Sequence, residues 1–292
     1  KTSNEMIRPE ILRVLNDILQ DKSGLNLNFD KPIIELKKPI LSLLESSSPQ
    51  IQIKILLLLE TIFKKHPNAL KSSTEEIAMQ LLNLKIQEGL ILHVFNILKN
   101  MLPLFSESLI NKVLEHIEAK FNESVMDNAF LTSIFEFTHL ACQKLPKKDL
   151  VSKVKKYSPK MKDLNENMSY YLSIVICYSG EEQKFLDTAL NNLSSLKDQK
   201  QIENLLELIG DICENSKVNH DEILTKLEKI KGSLGNKLND SISQITGKIG
   251  ANNPIGFVNK LMTQKQDQDS RVALKEFLNL IDKKKINITD AN

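Results

Sequence analysis

Apolar residues recur along this chain at helical spacing from end to end. Ile110, Val113, Leu114, Ile117 and Phe121 trace one helix face at i, i+3, i+4, i+7 and i+11. Ile202, Leu205, Leu206, Ile209 and Ile212 trace another, and Leu238, Ile242, Ile245 and Ile249 a third. Strand-like alternation never persists, and the densest β-branched stretch, Ile174–Val175–Ile176, sits inside a longer helical pattern. The pattern predicts an all-α fold.

Start signals cut this pattern into short helices. Ser48-Pro49 sets a capping hydroxyl before a proline at the first helical position. Ser73-Thr-Glu-Glu76 has capping-box spacing, in which hydroxyl and carboxylate each satisfy a free backbone N–H. Asn253-Pro254 and Asp269-Ser270 open later helices, while Pro103, Pro146 and Pro159 fall between helices, where a missing N–H does no harm. The result is a leading helix at 9–20 and seven helix pairs. The pairs are 31–46 with 49–65, 74–84 with 88–102, 107–120 with 126–144, 148–157 with 166–179, 182–195 with 199–213, 220–231 with 236–249, and 253–264 with 269–282. Second helices start 33 to 40 residues apart, which marks an internal two-helix repeat. Length alone suggests roughly two domains. The repeat instead predicts a single array over 1–292, a fragment of a longer chain that closes in a tail at 283–292.

Two features of the second helices point to stacking. Leu206-Glu-Leu-Ile-Gly210-Asp-Ile212 and Ser243-Gln-Ile-Thr-Gly247-Lys-Ile249 lie 37 residues apart, each with a glycine inside a helix. Such a glycine costs about 1 kcal/mol relative to alanine, so its recurrence predicts close backbone approach between neighbouring repeats. Leu at either position is expected to overpack the contact, and Ala to be nearly neutral. The helix from Pro49 is apolar almost all round, with only Lys54, Glu60, Thr61 and Lys64 forming a polar stripe, so it must be covered on several sides.

These features predict a HEAT-type α-solenoid, a superhelix of antiparallel helix pairs. The strict 34-residue tetratricopeptide pattern is absent. So is the tryptophan that tubulin-binding HEAT arrays usually present. The stretch Asn165–Lys284 resembles an inner part of the C-terminal half of the cullin-associated, neddylation-dissociated (TBP-interacting) proteins. The resemblance rests on Ser169-Tyr-Tyr-Leu-Ser-Ile-Val-Ile-Cys177, the Gly210 and Gly247 helices, Asn253-Pro254-Ile-Gly-Phe-Val-Asn-Lys-Leu261 and Ser270-Arg-Val-Ala-Leu-Lys-Glu-Phe-Leu-Asn-Leu-Ile281. Leu41–Leu70, with Ser48-Pro49 and Lys64-Lys65-His66-Pro67, has a similar layout. Gly is scarcer and Lys and Asn richer here than in typical members. The resemblance implies an intracellular scaffold that wraps a cullin–RING ligase core and exchanges its substrate receptors. It transfers no binding residue, because no candidate for the family's receptor-displacing hairpin stands in these 292 residues. An importin-like transport or coat-adaptor scaffold is the alternative.

Composition narrows function further. Thirty-nine Lys and Arg against thirty-seven Asp and Glu exclude a globally basic nucleic-acid binder and an acidic tail protein alike. Cys142, Cys177 and Cys213 are odd in number, far apart and set in apolar context, which predicts core thiols in a reducing compartment, cytoplasmic or nuclear. The longest apolar runs fall far short of the roughly 20 residues of a membrane span. His66, His93, His116, His139 and His220 lack a partner at metal-ligand spacing. Phosphate-cradling glycine loops and nucleophile elbows are absent. Paired acids such as Glu75-Glu76 and Glu181-Glu182 sit in first turns, where they complement the helix dipole. The expectation is a protein that is not an enzyme and takes no metal or cofactor.

One charge anomaly remains. Pro146–Lys162 carries Lys147, Lys148, Lys153, Lys155, Lys156, Lys160 and Lys162 against the single Asp149. Either it is a solvated helix and loop, or it meets an acidic partner and speeds association. Tyr157 alone makes a poor stacking platform for single-stranded nucleic acid. Second helices are expected to line the concave side, so Lys54, Lys64, Lys99 and Lys275 join Lys153, Lys155 and Lys156 as candidate partner contacts.

Overall fold

The computed structural model describes residues 2–20, 28–46, 48–84, 88–121, 128–193, 195–216, 218, 220–234, 238–250, 257–258 and 268–284. Its elements follow the boundary chemistry closely. Pro49 occupies the first helical turn after Ser48, but the expected capping hydroxyl makes no cap bond, and it is the Ser48 carbonyl that accepts from the N–H groups of Ile51 and Gln52. Ser106, Asn165 and Asp198 each accept a backbone N–H through the side chain and so start a helix. Gly180 ends another at φ 77°, a left-handed conformation that glycine adopts without penalty.

The helices are α1 (Thr2–Leu19), α2 (Asp30–Ser46), α3 (Pro49–Lys65), α4 (Thr74–Asn83), α5 (Glu88–Met101), α6 (Glu107–Lys120) and α7 (Asn128–Lys144). Then come α8 (Lys147–Tyr157), α9 (Glu166–Ser179), α10 (Glu182–Leu193), α11 (Gln199–Asn215), α12 (His220–Leu234), α13 (Asn239–Gly250) and α14 (Gln268–Lys284). Among the described residues there is no strand, and the fold is all-α. The predicted first helix at 253–264 and the tail beyond 284 lie outside the described residues, apart from Phe257 and Val258.

The chain forms two compact units, Lys1–Leu145 and Pro146–Asn292. In the first, α2 packs on α3, α4 on α5 and α6 on α7, while α1, α3, α5 and α7 pack in succession. In the second, α8 packs on α9, α10 on α11 and α12 on α13, while α9, α11, α13 and α14 pack in succession. Each unit therefore has a layer of successive helices, of which α3, α5 and α7 in the first and α9, α11 and α13 in the second are each backed by the helix before them.

The repeat shows most clearly in which positions are buried. In α3 these include Ile55, Leu56, Leu58, Leu59, Ile62 and Phe63. In α5 the same spacing falls on Val94, Phe95, Ile97, Leu98 and Met101, and on Leu102 just past its end, all buried. In α11 it falls on Leu205, Leu206, Leu208, Ile209, Ile212 and Cys213, again all buried. Ile55, Val94, Ile134, Tyr171, Leu205 and Ile242 hold one equivalent place in successive second helices, 34 to 40 residues apart. Three-sided cover explains the nearly all-apolar α3, since α1, α5 and α2 all touch it.

Long polar side chains tie successive first helices together. Lys37 on α2 reaches Glu76 on α4 at 2.8 Å, Lys112 on α6 reaches Glu75 on α4 at 2.5 Å, and Lys226 on α12 reaches Asp187 on α10 at 2.8 Å. At largely exposed sites such pairs are worth about 0–1 kcal/mol each, so they fix alignment more than they stabilise. Lys37 also corrects the expected capping box. The Ser73 side chain makes no cap bond, and its hydroxyl accepts from the Lys37 ammonium at 3.1 Å instead. The neighbouring helix takes both the hydroxyl and the Glu76 carboxylate.

The two recurrent glycines lie at the same contact in successive steps of the second unit. A Cβ at Gly210 would meet the Ile245 and Lys248 side chains of α13, each at 3.2 Å. One at Gly247 would run into the Ala273 carbonyl oxygen of α14, with the backbone nitrogen of Phe277 at 3.1 Å. Side chains can move aside and a helix backbone cannot. The expected tolerance of alanine therefore holds only for Gly210. Beyond Gly247, Phe257, Ala273, Phe277 and Leu280 form a buried cluster, with the two phenylalanine rings 4.9 Å apart.

Candidate functional site

The second-helix layers carry the features that suit partner binding. In the first unit, Asn16 and Gln20 on α1 and Leu57, Glu60, Thr61, Lys64 and Lys65 on α3 line a groove of about 510 Å³. The Thr61 hydroxyl donates to Asn16 Oδ1 at 2.6 Å, and His93 on α5 stands 3.5 Å from Glu60, so polar contacts continue from α1 to α5. Lys99 on α5 extends them to Glu136 on α7 at 2.7 Å. Among the described residues, the large apolar side chains left exposed fall on second helices, with Ile34 and Val258 the exceptions. They include Leu92 on α5 and Leu140 on α7.

In the second unit, Glu203, Leu206, Glu207 and Gly210 on α11 and Ser241, Gln244, Ile245 and Lys248 on α13 line a groove of about 300 Å³. At its edge the Lys248 ammonium donates to Asp211 Oδ1 at 2.6 Å, with Glu214 at 3.9 Å. Asp211 is only 6% exposed. Burial pushes its carboxyl above the usual aspartate range, Lys248 opposes that rise, and Glu214 and Glu166 add to it. Burial also works against the Lys248 charge, but Asp211 and Glu214 outweigh it and hold the ammonium above the usual lysine value. The two directions express different balances in one pair. Asp211 is the more deeply buried partner and faces further acids, so loss of water dominates there. Glu207 is likewise raised, first by burial and then by Asp211 and Glu166.

The lysines singled out from sequence are scattered by the fold. Lys64 is exposed on the wall of the first groove. Lys54 is half-buried on α3, where its charge is the smallest contribution to lowering the Glu10 carboxyl, after the hydrogen bond from Arg13. Lys99 is occupied by Glu136, and Lys275 is exposed on α14. Lys155 and Lys156 are exposed on α8, with the Lys156 ammonium 4.9 Å from the Tyr157 ring centroid. Lys153 does not join them. It is 8% exposed, because one turn beyond Leu150 and next to Val154 it shares their buried face. Lys153→Glu should therefore destabilise the fold by about 1–3 kcal/mol, whereas Lys155→Glu should stay within about 0.5 kcal/mol. Urea melts of the two single variants check this.

The sequence reading passed over the acids of α11. Glu203, Glu207, Asp211 and Glu214 recur at helical spacing, a signal present in the sequence. The thiols have no disulfide: Cys142 and Cys213 are buried and Cys177 is partly so. Burial pushes the Cys213 thiol up to about 12. Iodoacetamide near neutral pH should leave Cys142 and Cys213 unmodified until the chain is unfolded, as peptide mass spectrometry would show.

Among the described residues no three His, Cys, Asp or Glu side chains gather as metal ligands, and no helix is long and apolar enough to cross a membrane. No protein-family model matches the chain, and no curated protein matches it.

Proposed function

We propose that this chain is a non-enzymatic protein-interaction scaffold of the HEAT-type α-solenoid class, acting in the cytoplasm or nucleus. One observation carries the reading: equivalent buried places at Ile55, Val94 and Ile134 in the first unit and at Tyr171, Leu205 and Ile242 in the second. A protein built of stacked repeats offers a long partner surface rather than one enclosed site. The exposed apolar residues and grooves of the second-helix layers are the contact surface, with Lys64 on its rim.

Within this class, the regulator of cullin–RING ligase assembly by receptor exchange rests on the sequence layout of Asn165–Lys284 and, more weakly, of Leu41–Leu70. The importin-like or coat-adaptor scaffold is its competitor. Nucleic-acid binding through the α8 lysines ranks below both, since Lys153 is buried and the Tyr157 ring already holds Lys156.

The test is affinity capture with the 292-residue chain from native lysate, eluted stepwise in salt and read by mass spectrometry. Cullin–RING components support the first form, and nuclear cargoes or coat subunits support the second. Predominantly nucleic acid, released steeply between about 50 and 200 mM salt, would overturn the scaffold reading.

A further inference from the structure

The lysines of α8 and of the turn after it differ from those that tie the first helices together. Elsewhere a lysine that reaches sideways is answered by a carboxylate of the neighbouring first helix. Lys37 and Lys112 meet Glu76 and Glu75 on α4, and Lys226 meets Asp187 on α10. Exposed lysines without such a bridge stand among acids, Lys38 on a helix with Glu35 and Glu45, and Lys229 next to Glu228. On α8 and beyond, Lys148, Lys155 and Lys160 are exposed and form no ion pair among the described residues. The one acid between Lys148 and Lys160 is Asp149, which is half-buried. Asp163, the next along the chain, accepts from Gln201 at 2.9 Å.

Helix stability does not account for this placement. Lys155 and Lys156 in the last turn suit the helix dipole, but Lys148 stands in the first turn, at its positive end. Lys147 has a role within the fold, since its ammonium lies beside Gly180 at the C-terminal, negative end of α9. Lys153 is buried, and Lys156 lies against the Tyr157 ring. Helical spacing puts Lys148, Ser152 and Lys155 at i, i+4 and i+7 on one face, opposite buried Leu150 and Val154. Like charges on one face repel each other. The α8 face therefore carries a positive charge that no acid among the described residues offsets.

We propose that this face of α8 is a docking surface for an acidic segment of a partner protein. A run of aspartate and glutamate would supply the carboxylates that answer lysines on the other first helices, so charge complementarity names the occupant. From Lys148 to Lys156 the helix rises about 12 Å, the length of about four extended residues. A short acidic run therefore spans it. An anionic membrane surface fits less well, because among the described residues α8 exposes no large apolar side chain to enter the lipid boundary. Single-stranded nucleic acid also fits less well, because the ring that would stack a base, Tyr157, is half-buried and holds Lys156. The surface lies on a first helix, beyond the second-helix layer of the proposed function, and does not depend on it.

The probe is a fluorescein-labelled oligoglutamate of about eight residues, twice the run that spans the face. Fluorescence anisotropy at about 50 mM salt should show saturable binding to the 292-residue chain, weakening steeply as added salt shortens the range of the charges. Lys148→Glu with Lys155→Glu should weaken it at least about tenfold, and Lys148→Gln with Lys155→Gln by less. Lys38→Glu with Lys229→Glu makes the same change of charge on α2 and α12 and should leave binding nearly unchanged. Unchanged circular dichroism melts would show that each variant is folded, and Lys153 is left in place because it is buried. An oligoglutamine of equal length should not bind. No oligoglutamate binding up to about 1 mM, or an equal loss in the α8 pair and the control pair, would overturn the proposal. So would tighter binding of a single-stranded oligonucleotide or of anionic vesicles that the α8 pair abolishes, which would give the face to that ligand. The exposed apolar residues and grooves of the second-helix layers are untouched by these variants, so failure here leaves the scaffold reading standing.

Discussion

Alanine at Gly247 should lower the stability of the second unit by about 1–3 kcal/mol, and leucine by more. The added Cβ would strike the Ala273 carbonyl oxygen, and the neighbouring Glu276 Cβ at 2.9 Å leaves no room to shift. Because α13 meets α14 along this line, relief requires the two helices to separate and open the cluster of Phe257, Ala273, Phe277 and Leu280. The better helix propensity of alanine returns about 1 kcal/mol, which is already inside that range. Gly210→Ala provides the contrast. Its neighbours are the Ile245 Cγ1 and the Lys248 Cδ, which can move by a few tenths of an ångström. It should be neutral within about 0.5 kcal/mol. Urea melts of both variants decide the matter, and equal effects would mean that the Gly247 contact is not a backbone contact.

Methionine at Lys248 should be comparably damaging, at about 2–4 kcal/mol near neutral pH. The substitution keeps the apolar stem that packs at Gly210 and removes the charge that Asp211 faces. A carboxylate that is 6% exposed would then stand beside Glu214 and Glu166 with no cation to answer it. The pH dependence follows from the direction of each shift. The Lys248 ammonium is favoured in the folded chain, so its contribution is complete below the ordinary lysine value and fades as pH rises above it. Asp211 runs the opposite way, since its raised carboxyl makes ionisation cost stability as pH climbs through that raised value. Without Lys248 the carboxyl rises further, and the variant should recover as pH falls toward about 4. The gap between wild type and Lys248→Met should therefore be wide at pH 7 and narrower in acid. A gap independent of pH would assign the loss to packing alone.

Helix boundaries were legible because they are set locally. Pro49 begins α3 where the Ser48-Pro49 signal put it, and Glu166, after the Asn165 cap, begins α9. The two-helix period was legible too, since the apolar residues that fill α3, α5 and α11 must repeat if their surroundings repeat. What failed was whatever depended on a neighbouring helix. The capping box at Ser73 lost its hydroxyl to Lys37, which lies 36 positions away. Lys153 looked like one lysine among seven, and only the packing of α8 decides that it points inward. Gly210 and Gly247 have the same local motif, and their difference lies in whether a side chain or a backbone stands opposite. The candidate surfaces were the least legible part. The groove of α1 and α3 and the groove of α11 and α13 each combine residues from two helices roughly one repeat or more apart.

The central claim is that partners are engaged by the second-helix layer. A photo-crosslinking amino acid placed at Leu92 and at Lys64, both exposed on second helices, tests it against the same group at Lys38 and Lys229, exposed on first helices α2 and α12. After capture from lysate and irradiation, crosslinked partner should appear from Leu92 and Lys64 and be weak or absent from Lys38 and Lys229. Crosslinks confined to Lys38 and Lys229 would contradict the account.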